Sequence, residues 1–277
     1  MKRVLFVAFT MLMLCSILLL IILGIAKAGN PDYSFIEYPC IEPATIDGEW
    51  TSGDEWTDGP IMKISDNANF TWNVDMTSGV VTDYAVQILV EIFDDDTDDA
   101  EDYWQICIDS DNSEGTAPQS NDYKIDIIGH TSLVCYEGNG TDWDLITPDE
   151  GEIEWADSIS DSPWDSTPHW ILEFSILKET GTIYFSAPPN GVRIAVYDAS
   201  NSQAGVQAWA PDSDPNVPAE WGLISDYSDT PIPEGFSLGV VVLLSFVAVA
   251  VSLYFLRKWP KTRSCSSRKT GEINYTS

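Results

Sequence analysis

The chain has 277 residues, 44 of them acidic and 13 basic, and a formal net charge of −31 at pH 7. The imbalance is concentrated: residues 29–234 hold 43 of the acids and only four bases, Lys63, Lys124, Lys178 and Arg193. Such a field excludes a nucleic-acid-binding role and attracts cations and basic partners, although an acidic surface also serves plain solubility.

The two ends differ from the middle. After Met1, Lys2 and Arg3 comes an apolar run over 4–25 and then Ala26-Lys27-Ala28. A basic start, an apolar stretch and an A-x-A site read as a secretory signal peptide, residues 1–28, with an uncleaved anchor as the alternative. Near the other end, 236–256 are 21 residues without a charge, followed at once by Arg257, Lys258, Lys261 and Arg263. That length spans a hydrocarbon core as a helix, and the basic flank places the tail, 257–277, in the cytoplasm. The expectation is a cell-membrane protein with one pass, the larger part outside, and a Pro-containing stalk at 225–235.

The outer region, 29–224, shows period-two alternation and no sustained helical period. Residues 44–49 read as a short strand running into Asp47-Gly48, a turn signal. Phe70, Trp72, Val74 and Met76 alternate with polar residues. Residues 83–93 alternate again, with Val86, Ile88, Val90 and Ile92 on one side. Trp104, Ile106 and Ile108 share a face, as do Tyr123, Ile125 and Ile127; Trp170, Leu172, Phe174 and Ile176; and Val192, Ile194 and Val196. Strands joined by turn-rich loops, without helices between, predict an all-β, antiparallel β-sandwich (jelly-roll-like), followed by one transmembrane helix. Trp72, Trp104 and Trp170 lie on the core stripes.

Candidate functional groups follow from residue type. Asp94, Asp96 and Asp98 belong to one acid run, and Asp109, Asp111 and Asn112 to another; oxygen ligands on turns suit calcium. No EF-hand spacing is present, and solvated loops are the competing reading. Trp143, Trp155, Trp164 and Trp209 sit in polar, turn-rich stretches and are candidates to stack a sugar ring, against the alternative that they are packed. Cys107 and Cys135 are the first choice for a disulfide in an exported protein, with Cys40 left over. Asn69 and Asn139 open glycosylation sequons. His130 and His169 are the chain's two histidines; both read as solvated, and no nucleophile-elbow pattern surrounds a serine, so no catalytic residue is assigned and the chain is read as not an enzyme.

The order Ile46-Asp47-Gly48-Glu49-Trp50, Asp83-Tyr84-Ala85 leading to Asp94, Asp102-Tyr103-Trp104-Gln105-Ile106-Cys107-Ile108-Asp109, Asp122-Tyr123-Lys124-Ile125 and Trp170-Ile171-Leu172-Glu173-Phe174 resembles carbohydrate-binding module family 9 and the wider DOMON-like sandwiches, over about residues 44–224. The C-terminal anchor is similar to those of archaeal surface proteins. The resemblance implies a sandwich that binds a sugar or, in some relatives, haem through Met and His; Met62, Met76, His130 and His169 are the residues of those types. The leading expectation is a surface glycan-binding module with structural calcium. The rivals are a structural or adhesive surface protein without a small ligand, and a haem redox module.

Overall fold

The computed structural model describes residues 30–75, 85–178, 181–184 and 188–226. The two long apolar runs, 4–25 and 236–256, lie outside these residues, as do 227–235 of the expected stalk, the tail and Met76; Ser225 and Asp226, expected to open the stalk, instead end the last strand of the domain. No helix among the described residues is long and apolar enough to cross a membrane.

Among the described residues thirteen strands form the domain: β1 (Asn30–Pro39), β2 (Ile61–Lys63), β3 (Ala68–Asp75), β4 (Ala85–Ile92), β5 (Tyr103–Asp109), β6 (Asp122–Ile128), β7 (Ser132–Gly138), β8 (Trp143–Ile146), β9 (Ile153–Ser160), β10 (His169–Leu177), β11 (Asn190–Tyr197), β12 (Gln207–Trp209) and β13 (Gly222–Asp226). One short 3-10 turn, Pro218–Glu220, precedes β13. The order β8-β7-β6-β5-β11-β13-β1 makes a front sheet, and β1-β3-β4-β10-β9 makes a back sheet. The short β12 adds to β11 and β2 to β3. All pairings are antiparallel except those of β1, which runs parallel to β13 through Ser34–Glu37 and then parallel to β3 at Tyr38 and Pro39. β1 therefore stitches the two sheets into one curled ladder.

The sheets face each other through the residues that the alternation assigns inward. Trp104, Ile106 and Ile108 of β5, Tyr123, Ile125 and Ile127 of β6, and Val192, Ile194 and Val196 of β11 meet Phe70 and Trp72 of β3, Val86, Ile88 and Val90 of β4, and Leu172, Phe174 and Ile176 of β10 in one buried cluster. Edge-on rings cross the gap, Trp104 to Trp170 at 6.2 Å and Phe70 to Trp209 at 5.4 Å. Large rings packed in this way each remove well over 100 Å² from water and dominate such a core.

The back sheet has a second layer on its other side. Every residue of β4 is buried, not only the alternate ones. Residues 40–59 lie over its outer face, where Ala44 and Trp56 pack on Leu89 and Ile171, with Ile46, Trp50 and Trp164 around them. Residues 44–49 are thus a packed loop and not the strand that their sequence suggests: their apolar side chains bury against the sheet, while their amides bond to side chains. Ala44 exchanges two hydrogen bonds with the Gln87 amide, at 2.9 and 3.1 Å. The Asp47 and Gly48 amides donate to Glu173 Oε2 at 2.8 and 2.9 Å, and the Trp56 indole N–H donates to Oε1 at 2.8 Å. The Ile-Asp-Gly turn and the Glu of the β10 motif are therefore two halves of one contact. Gly48 is required there: its φ is +80°, and a Cβ would come within 2.7 Å of the Asp157 backbone.

Candidate functional site

The outer face of the front sheet is built from the outward residues of four neighbouring strands. The register sets Tyr103 against Tyr197, Gln105 between Ala195 and Asp126, and Cys107 between Arg193 and Lys124. Tyr103 and Tyr197 stack, with ring centroids 5.5 Å apart and an 18° tilt. The Gln105 side chain donates to Asp126 Oδ1 at 2.9 Å and accepts from Arg193 Nη1. Arg193 also donates from Nε to the Ser213 carbonyl at 3.0 Å, which holds the 210–217 loop over one side of the face. On the other side, the Lys124 ammonium sits 4.3 Å above the Tyr136 ring and 5.1 Å from the Trp143 ring. Trp143 donates from its indole to Asn216 at 2.9 Å. Burial pushes the Asp126 carboxyl above the usual range against the pull of the Gln105 hydrogen bond and of Lys124 and Arg193.

At one end of this face lie Asp109, Asp111 and Asp122, whose carboxylate oxygens fall within 4.8 Å of one another. Asp109 closes β5 and Asp122 opens β6, so the pairing of the two strands brings them together. Asp109 accepts from the Ser113 and Glu114 amides at 3.0 and 2.9 Å, and Asp122 Oδ2 from the Gln119 amide at 2.7 Å. The second oxygen of Asp122 is buried without a partner, as is Oδ1 of Asn112. Burial, then the charge of Asp109 and Asp111, pushes the Asp122 carboxyl up to about 8.

A second triad, Asp95, Asp102 and Asp198, is fully buried with the same 4.8 Å spread. Asp102 holds the Ala199 amide with one oxygen, at 2.7 Å; the other faces the His130 imidazole at 3.2 Å. Oδ2 of Asp95 has no partner, and burial, with Asp198 and Asp102 nearby, pushes this carboxyl up to about 6. Like-charged oxygens this close, one of them unsatisfied, fit a hard cation that accepts oxygen ligands.

Some expected residues land in these places and others do not. Asp109 and Asp111 belong to the first triad, and Asn112 lies beside it in sequence with φ +51°. Asp94, Asp96 and Asp98 are exposed; it is Asp95, between them, that turns inward. The four tryptophans separate. Trp209 is 2% exposed and fills the core, so it offers no platform. Trp155 packs on the main core from β9, and Trp164 stands edge-on to Trp50 at 5.0 Å in the outer layer of the back sheet. Trp143 alone of the four borders the front face.

Neither histidine is solvated. His130 stacks on Trp170 at 3.6 Å and bonds Asp157 at 2.9 Å as well as Asp102. Burial disfavours its charge, but the two carboxylates outweigh that and hold its pKa above the usual. His169 is fully buried, with Nδ1 2.7 Å from the Thr167 carbonyl and Nε2 3.4 Å from Glu91. Both imidazoles are turned toward oxygens of their own fold, which does not favour a haem ligand role.

Cys107 and Cys135 are both free. Cys107 is on the outward side of β5 opposite Arg193 and Lys124, whereas Cys135 faces the core opposite Ile125. Successive strand residues point to opposite sides, so these two thiols are separated by the sheet itself. Cys40 is buried. Asn139 sits in the exposed turn between β7 and β8, with its amide donating to Asp144; Asn69 is half-buried on β3.

A concavity lies elsewhere, a cavity of about 690 Å³ on the back sheet lined by Ala44, Ile46, Gln87, Glu152, Glu154 and Ser175 among others. It holds no aromatic ring, whereas the front face holds four.

The acid run read from the sequence includes Asp95, but Asp102, Asp122 and Asp198 were not among the expected ligands, nor was the outward set of Tyr103, Gln105, Asp126, Arg193 and Tyr197 among the expected sugar contacts. The pairing of Asp109 with Asp122 was legible, because consecutive antiparallel strands bring the end of one to the start of the next.

No family model and no curated protein matches the chain. Among solved structures it is similar to a carbohydrate-binding module family 9 from Caldicellulosiruptor kristjanssonii in complex with cellotriose, at 17% identity and a TM-score of 0.44, covering 72% of this chain and 97% of that one. It is also similar to the same module in complex with glucose, at 17% identity and a TM-score of 0.45, covering 72% and 100%. These belong to the family that the sequence motifs resemble. Similarity at that level says nothing about the ligand of this chain.

Proposed function

We propose that the chain is a non-catalytic glycan-binding module of the cell surface, with its site on the outer face of the front sheet. The observation that carries this is the stacked Tyr103–Tyr197 pair beside a Gln105–Asp126 hydrogen bond, bordered by Tyr136 and Trp143. Sugars lay their C–H faces on aromatic rings and give their hydroxyls to amides and carboxylates, and this face supplies both within a few residue spacings. The two acid triads flank it, at the β5–β6 end and at the β4–β5 and β11 ends. Calcium at each joins loops that otherwise repel and gives the orphaned oxygens of Asp95 and Asp122 a partner. Residues 1–28 and 236–256 complete the reading as an export signal and a single anchor; protease protection of the tail in sealed vesicles checks that placement.

The test is a fluorescence and calorimetric titration of the purified full chain, in mild detergent and calcium, with cello-oligosaccharides and a panel of other soluble glycans. Saturable binding that Tyr197→Ala or Trp143→Ala abolishes supports the site. A structural surface protein without a small ligand is the second reading, favoured by the packing of Trp155, Trp164 and Trp209; a flat titration across the whole panel selects it.

A further inference from the structure

Among the described residues, the two bases that form no salt bridge both lie on the front face. Of the four bases in residues 29–234, Lys63 pairs with Asp66 at 2.6 Å and Lys178 with Glu37 at 3.3 Å. Among the described residues, neither Lys124 nor Arg193 forms a salt bridge; both stand in one row across the front sheet, on either side of Cys107. Two strand spacings put their Cα atoms roughly 10 Å apart. Arg193 is 3% exposed and is spent on Ser213 and Gln105. Lys124 is half-buried, and its ammonium rests against the Tyr136 and Trp143 rings.

The simpler role for such cations is to offset the acids around them, Asp109 and Asp122 on one side and Asp126 on the other. Were that all, a direct carboxylate contact would be the stable arrangement, as Lys63 and Lys178 both make. Here the ammonium is instead held over the faces of two rings of the type that stack a sugar. The negative field of the rest of the domain is screened beyond about 8 Å at physiological salt, so a local cation can still receive an anion.

We infer that the front face selects glycans that carry a carboxylate, that is, uronic-acid-containing chains. Lys124 holds the carboxylate, Trp143 and Tyr136 stack the ring that bears it, and Arg193 fixes Gln105 and adds charge from behind. This rests on the glycan site proposed above.

The experiment compares tri-galacturonic acid with cellotriose by calorimetry on the full chain at fixed calcium. The acidic trimer should bind about tenfold tighter. Lys124→Gln should remove that advantage, Lys124→Arg should keep it, and raised salt should weaken only the acidic ligand. Equal affinities, or an acidic preference that survives Lys124→Gln, overturn this inference and leave the glycan site standing. Failure of both sugars and of the wider panel removes the glycan site and the inference with it.

Discussion

The outer faces of the two sheets start from the same alternating pattern and end in opposite conditions. On the back sheet, Leu89, Ile171 and Glu173 point away from the core and are still fully buried, because residues 40–59 fold over them. On the front sheet, Tyr103, Lys124, Asp126 and Tyr197 point away from the core and remain partly accessible. Alternation fixes which residues leave the core. What covers them is decided by contacts such as that between Asp47 and Glu173, 126 residues apart in the chain. One outer face is thus spent on stability, and the other stays partly open.

The largest effects should come from breaking the covered face. Glu173→Ala leaves three N–H donors, two of them buried, without an acceptor and loosens the Trp56 layer. It should cost about 3–5 kcal/mol in urea unfolding; a cost below about 1 kcal/mol would mean that the loop is held by its apolar contacts alone. Gly48→Ala attacks the same contact through the backbone. With φ at +80° and the Asp157 backbone in the way, about 2–3 kcal/mol is expected from thermal melts.

Metal and pH come next and test the ends of the open face. The carboxyls of Asp122, Asp95 and Glu173 are raised in the fold to about 8, 6 and 7. Each ionises near the ordinary carboxylate value once unfolded, so between about pH 4 and 8 the folded chain binds more protons than the unfolded one. Without metal, stability should therefore fall as pH rises through that window and level off above it. Calcium, which favours the ionised form, should raise the melting temperature and flatten the slope. Asp122→Asn should reduce both the slope and the calcium shift. A metal-free melting temperature that climbs from pH 4 to 8, or that ignores calcium and chelator, contradicts the triads as cation sites.

The smallest stability effect belongs to the open face itself. Trp143→Ala removes a half-buried ring and one hydrogen bond to Asn216 and should cost only about 1 kcal/mol, while removing glycan binding. A large loss of stability with binding retained would assign Trp143 to packing.

The contrast also explains what the sequence made legible. β3, β4, β5, β6, β10 and β11 have clean alternation of large apolar residues and are found where it places them. β1 was hidden because Pro31 and Pro39 bound it and its partners are split between two sheets. β7, β8 and β9 are only half-buried, and their pattern is correspondingly weak. The cysteine pairing failed on parity: closeness in sequence does not say which side of the sheet a thiol faces. Within the acid run at 94–99 only Asp95 is fully buried, and one of the carboxylates beside it, Asp198, comes from the residue after β11, a contact that sequence order does not report. Three of the four candidate tryptophans, Trp155, Trp164 and Trp209, are taken up by the core and by the layer over the back sheet, the packed alternative of the sequence reading.

The account stands most directly on which outer face takes the ligand. Calorimetry with any glycan that the wild-type chain binds should be repeated on two variants: Tyr197→Ala, which cuts the front-face stack, and Ser175→Trp, which fills the cavity on the back sheet. The account predicts that Tyr197→Ala abolishes binding and that Ser175→Trp leaves it unchanged. Binding that survives the first and is lost in the second would contradict it and move the site to the face described here as structural.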